Sequence, residues 1–142
     1  MERPEALVID AGPLYAYADR RDGAHSASLH LFETHPGPLI VPMLVIAEVT
    51  YLMRKHLNPA IEVALLADLA DGHFAVEPVQ PADWSRIAHL VARYRDFPLG
   101  TVDASVVACA ERLGARTIAT LDRRHFSVVR PAHVDAFELL PA

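Results

Sequence analysis

Four carboxylates, Asp10, Glu48, Asp103 and Asp122, are scattered along the chain among mostly apolar neighbours. Asp10 closes the run Ala6-Leu7-Val8-Ile9, and Asp122 closes Thr117-Ile118-Ala119-Thr120-Leu121, so both read as acids at the carboxyl ends of core strands. Glu48 lies one helical turn from both Leu44 and Leu52, which puts a carboxylate on an apolar face. Asp103 falls in the first turn of a helix whose packing face is Val102, Val106, Ala110 and Leu113. All four are expected to be buried or nearly so. An ionised carboxylate in a dry environment is costly unless it is paired or binds a metal, and few cations stand nearby in sequence. Oxygen-only ligands select hard cations such as Mg²⁺ or Mn²⁺ over zinc. Such ions activate water and stabilise the charge that develops in phosphodiester cleavage, so the acids point to metal-dependent phosphodiester hydrolysis.

Each acid also has a plainer account. Asp10 precedes Ala11-Gly12-Pro13 and could cap the next helix, and Asp122 could cap a short helix beginning at Arg123. Asp103 gains from the helix macrodipole, and Glu48 could serve a structural salt bridge. Four such acids at one edge of one sheet are harder to dismiss, because like charges held close together repel unless cations neutralise them.

The elements that must position these residues alternate from end to end, which predicts an α/β domain with a mainly parallel sheet. Strands are expected at Ala6 to Asp10, Leu39 to Val41, Phe74 to Glu77, Arg116 to Leu121 and Ala136 to Leu139. Helices are expected at Gly12 to Asp19, Ala24 to Thr34, Met43 to His56, Pro59 to Ala70, Pro81 to Tyr94, and from near Val102 to a C-terminal cap at Gly114. Asn58-Pro59 predicts a helical hairpin between the third and fourth. In open sheets of this kind ligands bind beyond the carboxyl ends of the strands, where Asp10 and Asp122 would lie.

At 142 residues, residues 1–142 are expected to form a single domain, and 52% hydrophobic residues with 22% charged argue against general disorder. No run is long enough for a membrane span, and Met1-Glu2-Arg3-Pro4 does not resemble a signal sequence, so a cytoplasmic location is expected. The single cysteine, Cys109, excludes an internal disulfide and a cysteine-based zinc cluster, and between Ala108 and Ala110 it reads as an inert core thiol. The net charge of −5 weakly opposes a polyanionic partner, but four acids gathered on metal would leave the remainder nearly neutral.

Val8-Ile9-Asp10, Ala47-Glu48, the run Asp103-Ala104-Ser105-Val106-Val107-Ala108, and Ala119-Thr120-Leu121-Asp122 followed by His125-Phe126 together resemble a PIN-domain ribonuclease. Within that family the likeness is to VapC-type toxins of bacterial toxin-antitoxin pairs, and order and length agree over essentially the whole chain. The resemblance implies a three-layer α/β/α PIN-like domain and a Mg²⁺-dependent endoribonuclease, with Mn²⁺ as a substitute ion. It makes Asp10 and Asp103 the principal metal ligands, with Glu48 and Asp122 completing the acidic pocket directly or through water. It also implies an RNA substrate, a cognate antitoxin that blocks the cleft, and a homodimer. The small hydroxyl residue usual near the first acid is absent, since Ala11-Gly12-Pro13 follows Asp10.

Thr120 and Ser105 are nearby hydroxyls that could orient water or phosphate, with packing or helix capping the weightier account. Of the basic pairs Arg20-Arg21, Arg54-Lys55 and Arg123-Arg124, the last directly follows a proposed ligand and is singled out for phosphate contact. The eight histidines show no HExxH pattern and are assigned no metal, and His125 is expected to be structural. Trp84, Tyr94 and Phe97 are expected in the core, and the apolar excess of Val63, Leu65, Leu66 and Leu69 suggests a partner or dimer face. A haloacid-dehalogenase-type phosphatase would need a second aspartate where Gly12 stands, and the phosphate-loop motifs GxGxxG and GxxxxGK[ST] are missing. The rival from another class is a noncatalytic PIN-like scaffold that binds RNA or protein.

Overall fold

In the computed structural model, residues 4–142 are described, and the expectation drawn from Met1-Glu2-Arg3 lies outside them. Five short strands, β1 (Leu7–Ile9), β2 (Leu39–Pro42), β3 (Ala75–Glu77), β4 (Thr117–Ala119) and β5 (Glu138–Leu140), form one sheet in the order β3-β2-β1-β4-β5. Every pairing is parallel, with Val8 opposite Ile40 on one side and Ile118 on the other. The central strands read Leu-Val-Ile and Thr-Ile-Ala and are buried throughout, as a sheet covered on both faces requires. From β1 the chain winds outward through β2 and β3, then returns to β4 and β5 on the other side. The β1/β4 junction is therefore the switch point where an open sheet leaves a crevice.

Among the described residues seven helices flank the sheet in an α/β/α arrangement: α1 (Ala11–Ala18), α2 (His25–Thr34), α3 (Met43–His56), α4 (Pro59–Ala70), α5 (Pro81–Arg93), α6 (Thr101–Leu113) and α7 (Arg123–Val128). The α3/α4 hairpin forms as the sequence predicts: Asn58 accepts from the Ile61 amide at 3.2 Å, Pro59 opens α4, and Arg54 pairs with Glu62. Gly114 ends α6 in the left-handed conformation at φ 68°, which glycine adopts without steric cost. Residues Ala104 to Ala110 of α6 are all buried, Cys109 among them, and burial raises its thiol pKa to about 12. This helix is wrapped on all sides over its middle turns, and Leu113, expected on its packing face, is instead exposed.

Ion pairs hold α6 in place. Arg86 on α5 grips Glu111 on α6 with two bonds of 2.7 and 2.8 Å, and Arg112 reaches back to Asp83 and Glu77. Trp84, expected in the core, is half exposed on α5, because the buried stripe of that helix runs through Asp83, Ile87 and Leu90. On α4, Leu65 is buried while Val63 and Leu66 face outward. Among the described residues no helix is long and apolar enough to cross a membrane.

Candidate active site

Asp10 stands one residue beyond β1, with its amide donating to Ala119 O at 2.9 Å, so its backbone is fixed against β4. It occupies the N-cap position of α1 but makes no side-chain capping bond, so the capping account fails. Its side chain is buried; Oδ2 accepts from the Thr120 hydroxyl at 3.0 Å, and Oδ1 has no hydrogen-bond partner among the described residues. Burial is the main cause that pushes the Asp10 pKa up to about 7. The Ala11 amide and Thr120 hydroxyl oppose the rise, and the charges of Asp103 and Glu48 add to it. A half-satisfied buried carboxylate in the company of two other acids is costly to keep ionised without a cation.

Asp103 projects from the first turn of α6 and is half-buried. Its pKa is raised by burial; His125 lowers it and Asp122 raises it. Glu48, expected on an apolar face, is exposed. The core face of α3 is Val45, Val49 and Met53, one residue in each turn, and Glu48 lies to one side of that line between the half-buried Leu44 and Leu52. Partial desolvation and then the Asp103 charge nonetheless raise its pKa, so it feels the same acidic group. Among the described residues no arginine or lysine forms a salt bridge with Asp10, Glu48, Asp103 or Asp122.

Asp122 is more open than expected, with its side chain 38% exposed. One oxygen caps α7 by accepting from the His125 amide at 3.0 Å, so the capping account holds for that oxygen. The other lies 2.5 Å from His125 Nδ1. Thr120 differs from the reading that made it a substrate-binding residue. It is 1% exposed, donates to Asp10, and accepts from the Asp122 amide at 2.9 Å, so it positions two acids and cannot reach a phosphate. Ser105 donates to Val102 O at 2.6 Å and is likewise internal.

The Arg123-Arg124 pair is only partly free for phosphate. Arg123 donates to Leu139 O and Pro141 O, which ties α7 to the end of β5. Arg124 lies over the Phe97 ring at 5.3 Å and is exposed. Phe97, expected in the core, is half-buried and meets the His125 ring edge-on at 4.7 Å.

Asp103, Asp122 and His125 offer three donor atoms within 4.8 Å of one another. Sequence reasoning gave the histidines no metal because it sought zinc patterns. The available signal was the spacing: three residues after Asp122, in a helical turn, His125 shares its face. Three other histidines bond backbone carbonyls, His25 to Ala16 O, His35 to Glu5 O and His133 to Ala115 O. A cavity of about 860 Å³ lies elsewhere, between α1, α2, α3 and α4, with Tyr17, Arg20, Arg21, His56 and Asp68 on its walls and none of the four acids.

The acids therefore gather from four separate elements at the switch point of the sheet. The donors fit a hard divalent cation, since Asp10 Oδ1 has no hydrogen-bond partner and no arginine or lysine among the described residues pairs with the acids around it.

Residues 7–130 match the PIN domain family. The chain is 35% identical to Ribonuclease VapC26 of Mycobacterium tuberculosis, over 95% of this chain and all of that protein. Among solved structures it is similar to Mycobacterium tuberculosis VapC20, a sarcin-ricin-loop-cleaving toxin, with a TM-score of 0.73 and 19% identity over 79% of this chain and 86% of the other. A toxin-antitoxin complex from Klebsiella pneumoniae matches with a TM-score of 0.66 and 18% identity over 90% of this chain and 99% of the other. At those identities the structures speak for the fold, whereas the family match and the VapC26 relative place the sequence itself. Acids gathered at the β1/β4 switch point of a parallel α/β/α sheet, with both matches spanning most of the chain, make this chain a member of the PIN domain family, alongside the VapC ribonucleases.

Proposed function

We propose that this chain is a metal-dependent endoribonuclease that hydrolyses RNA phosphodiester bonds, and that it is the toxin of a toxin-antitoxin pair acting in the cytoplasm. The observation that carries the reading is Asp10: buried, bonded on one oxygen only, and raised to about 7 by burial and by other acids. A structural carboxylate in that position would have an arginine or a set of amides to answer it. The likeness to Ribonuclease VapC26 supports RNA as substrate. The fold shared with a toxin-antitoxin complex supports an antitoxin partner that covers the cleft, and the exposed apolar residues Val63, Leu66 and Trp84 are compatible with a homodimer.

Asp10 and Asp103 would hold Mg²⁺ or Mn²⁺, with Glu48 and Asp122 contributing directly or through water. Bound there, the ion would lower the pKa of a water molecule and offset charge on the scissile phosphate. The chain's own residues do the rest. Thr120 fixes the Asp10 carboxylate through Oδ2 and leaves Oδ1 facing the acids. Glu48 faces solvent, where it could accept a proton from water, and burial and then the Asp103 charge raise its pKa. Arg124, held over Phe97, presents an exposed guanidinium for an RNA phosphate.

The test is cleavage of total cellular RNA by purified, antitoxin-free protein with Mg²⁺, Mn²⁺ or EDTA, with Asp10→Asn in parallel. Discrete fragments that vanish with chelator, and a rate at least about 10²- to 10³-fold lower in the variant, are expected. Wild-type cleavage by Asp10→Asn would sink the mechanism. No cleavage by folded wild type under any metal would favour the noncatalytic scaffold.

A further inference from the structure

His125 holds a position that the all-carboxylate reading leaves unexplained. Its Nε2 lies 3.2 Å from Pro98 O. A carbonyl only accepts, so Nε2 is the donor in this contact and Nδ1 is the ring nitrogen turned toward the acids. Nδ1 is buried and has no hydrogen-bond partner among the described residues. It lies 2.5 Å from Asp122 Oδ2, yet the contact lacks the alignment of a hydrogen bond. The ring is held from the side by Phe97. An imidazole with one nitrogen donating to a backbone carbonyl and the other aimed bare at carboxylates is the arrangement that metal-binding histidines adopt.

The spacing agrees. The donor atoms of Asp103, Asp122 and His125 all fall within 4.8 Å of one another, close enough for one cation to draw on all three with small side-chain adjustments. Asp103 also acts electrostatically on Asp10 and on Glu48, so it stands between an oxygen-only group and this mixed one. We propose that Asp103, Asp122 and His125 Nδ1 form a mixed nitrogen and oxygen cation position that takes a first-row transition ion such as Mn²⁺ in preference to Mg²⁺. The inference rests on the metal-dependent reading and refines its ion: Mg²⁺ demands hard oxygen ligands and keeps its waters, whereas imidazole suits transition ions.

Pulsed electron paramagnetic resonance on the full chain loaded with Mn²⁺ reads the ligand directly. Wild-type protein labelled with ¹⁵N-histidine is expected to show a histidine nitrogen coupled to bound Mn²⁺, with no substitution required. In His125→Gln that coupling is expected to disappear, with Mn²⁺ affinity falling about tenfold or more and Mg²⁺ affinity changing less than about threefold. Mn²⁺ bound without nitrogen coupling, or coupling that survives in His125→Gln, overturns the inference and leaves the oxygen-ligand reading standing. Failure of folded wild type to bind Mn²⁺ or Mg²⁺ at all overturns both.

Discussion

Asp10 and Asp83 are buried to almost the same degree, at 5% and 7% exposure, yet they live in opposite chemistries. Asp83 at the start of α5 takes Arg112 on both oxygens at 3.1 and 3.2 Å and the Gln80 amide at 2.9 Å. Its neighbours Arg86 and Glu111 answer each other in the same way, and Glu111 also accepts from the Ala132 amide. On the α5/α6 side, therefore, charges are complete within the protein. At the acidic group, Asp10 has the Thr120 hydroxyl and the Ala11 amide but no cation, and Asp103 and Glu48 are pushed upward by desolvation and by acids. Burial alone does not mark a functional carboxylate. What marks it is burial without an internal partner, since a buried charge is tolerated only when something compensates it.

The largest effect expected on stability follows from the pH dependence of the metal-free protein. Asp10 has an ordinary pKa of 3.8 and a folded one of about 7. A raised folded pKa means that the native state binds the proton more tightly. Its contribution is therefore full below pH 3.8 and is lost as pH rises through about 7, a difference on the order of 4 kcal/mol. In EDTA, Asp10→Asn is expected to flatten that dependence and to melt above wild type at pH 8, as followed by circular dichroism. Identical pH profiles for the two proteins would show that Asp10 is compensated after all.

On the paired side the same chemical change should act in reverse. Asp83→Asn leaves Arg112 without its best partner and is expected to cost about 2–3 kcal/mol in urea unfolding, reduced from the fully buried case because Arg112 is partly exposed. The activity of the folded fraction should remain near wild type, because Asp83 touches none of the four acids. A stabilised Asp83→Asn would break the contrast between the two regions.

The smallest effect sharpens the role of Thr120. Thr120→Val removes the hydroxyl bonded to Asp10 and to the Asp122 amide with little change of shape. Stability is expected to fall by about 1–2 kcal/mol. Loss of the Asp10 hydrogen bond should also raise the Asp10 pKa further, which shifts the pH-activity profile toward higher pH. An unmoved profile would reduce Thr120 to a packing residue.

Much of this was legible along the chain because it is local. The runs around Val8 and Ile118 give the central strands, Asn58-Pro59 opens α4, and Gly114 closes α6. Strand ends were harder: β4 stops at Ala119, Thr120 still donates its amide to Leu140 O at 2.8 Å, and Leu121 and Asp122 then turn away from the sheet, with the Asp122 amide bonded to the Thr120 hydroxyl. Gly12 shows the same turn from the other side, because a Cβ there would meet the Leu121 side chain at 3.3 Å. The exposure of Glu48 and Trp84 was misjudged because apolar neighbours in sequence do not say which stripe of a helix meets the sheet. For α3 that stripe is Val45, Val49 and Met53, and for α5 it is Asp83, Ile87 and Leu90.

The sequence by itself determined the alternation of strands and helices, and the four acids in the order that carries the family resemblance. Periodicity and turn chemistry act over a few residues and can be read there. Only the tertiary structure decided which charges would be answered. Arg112 meets Asp83 across 29 positions, Thr120 meets Asp10 across 110, and His125 enters the acidic group through its contact with Pro98. Partnership in space depends on how the sheet winds around β1, and no local pattern records it.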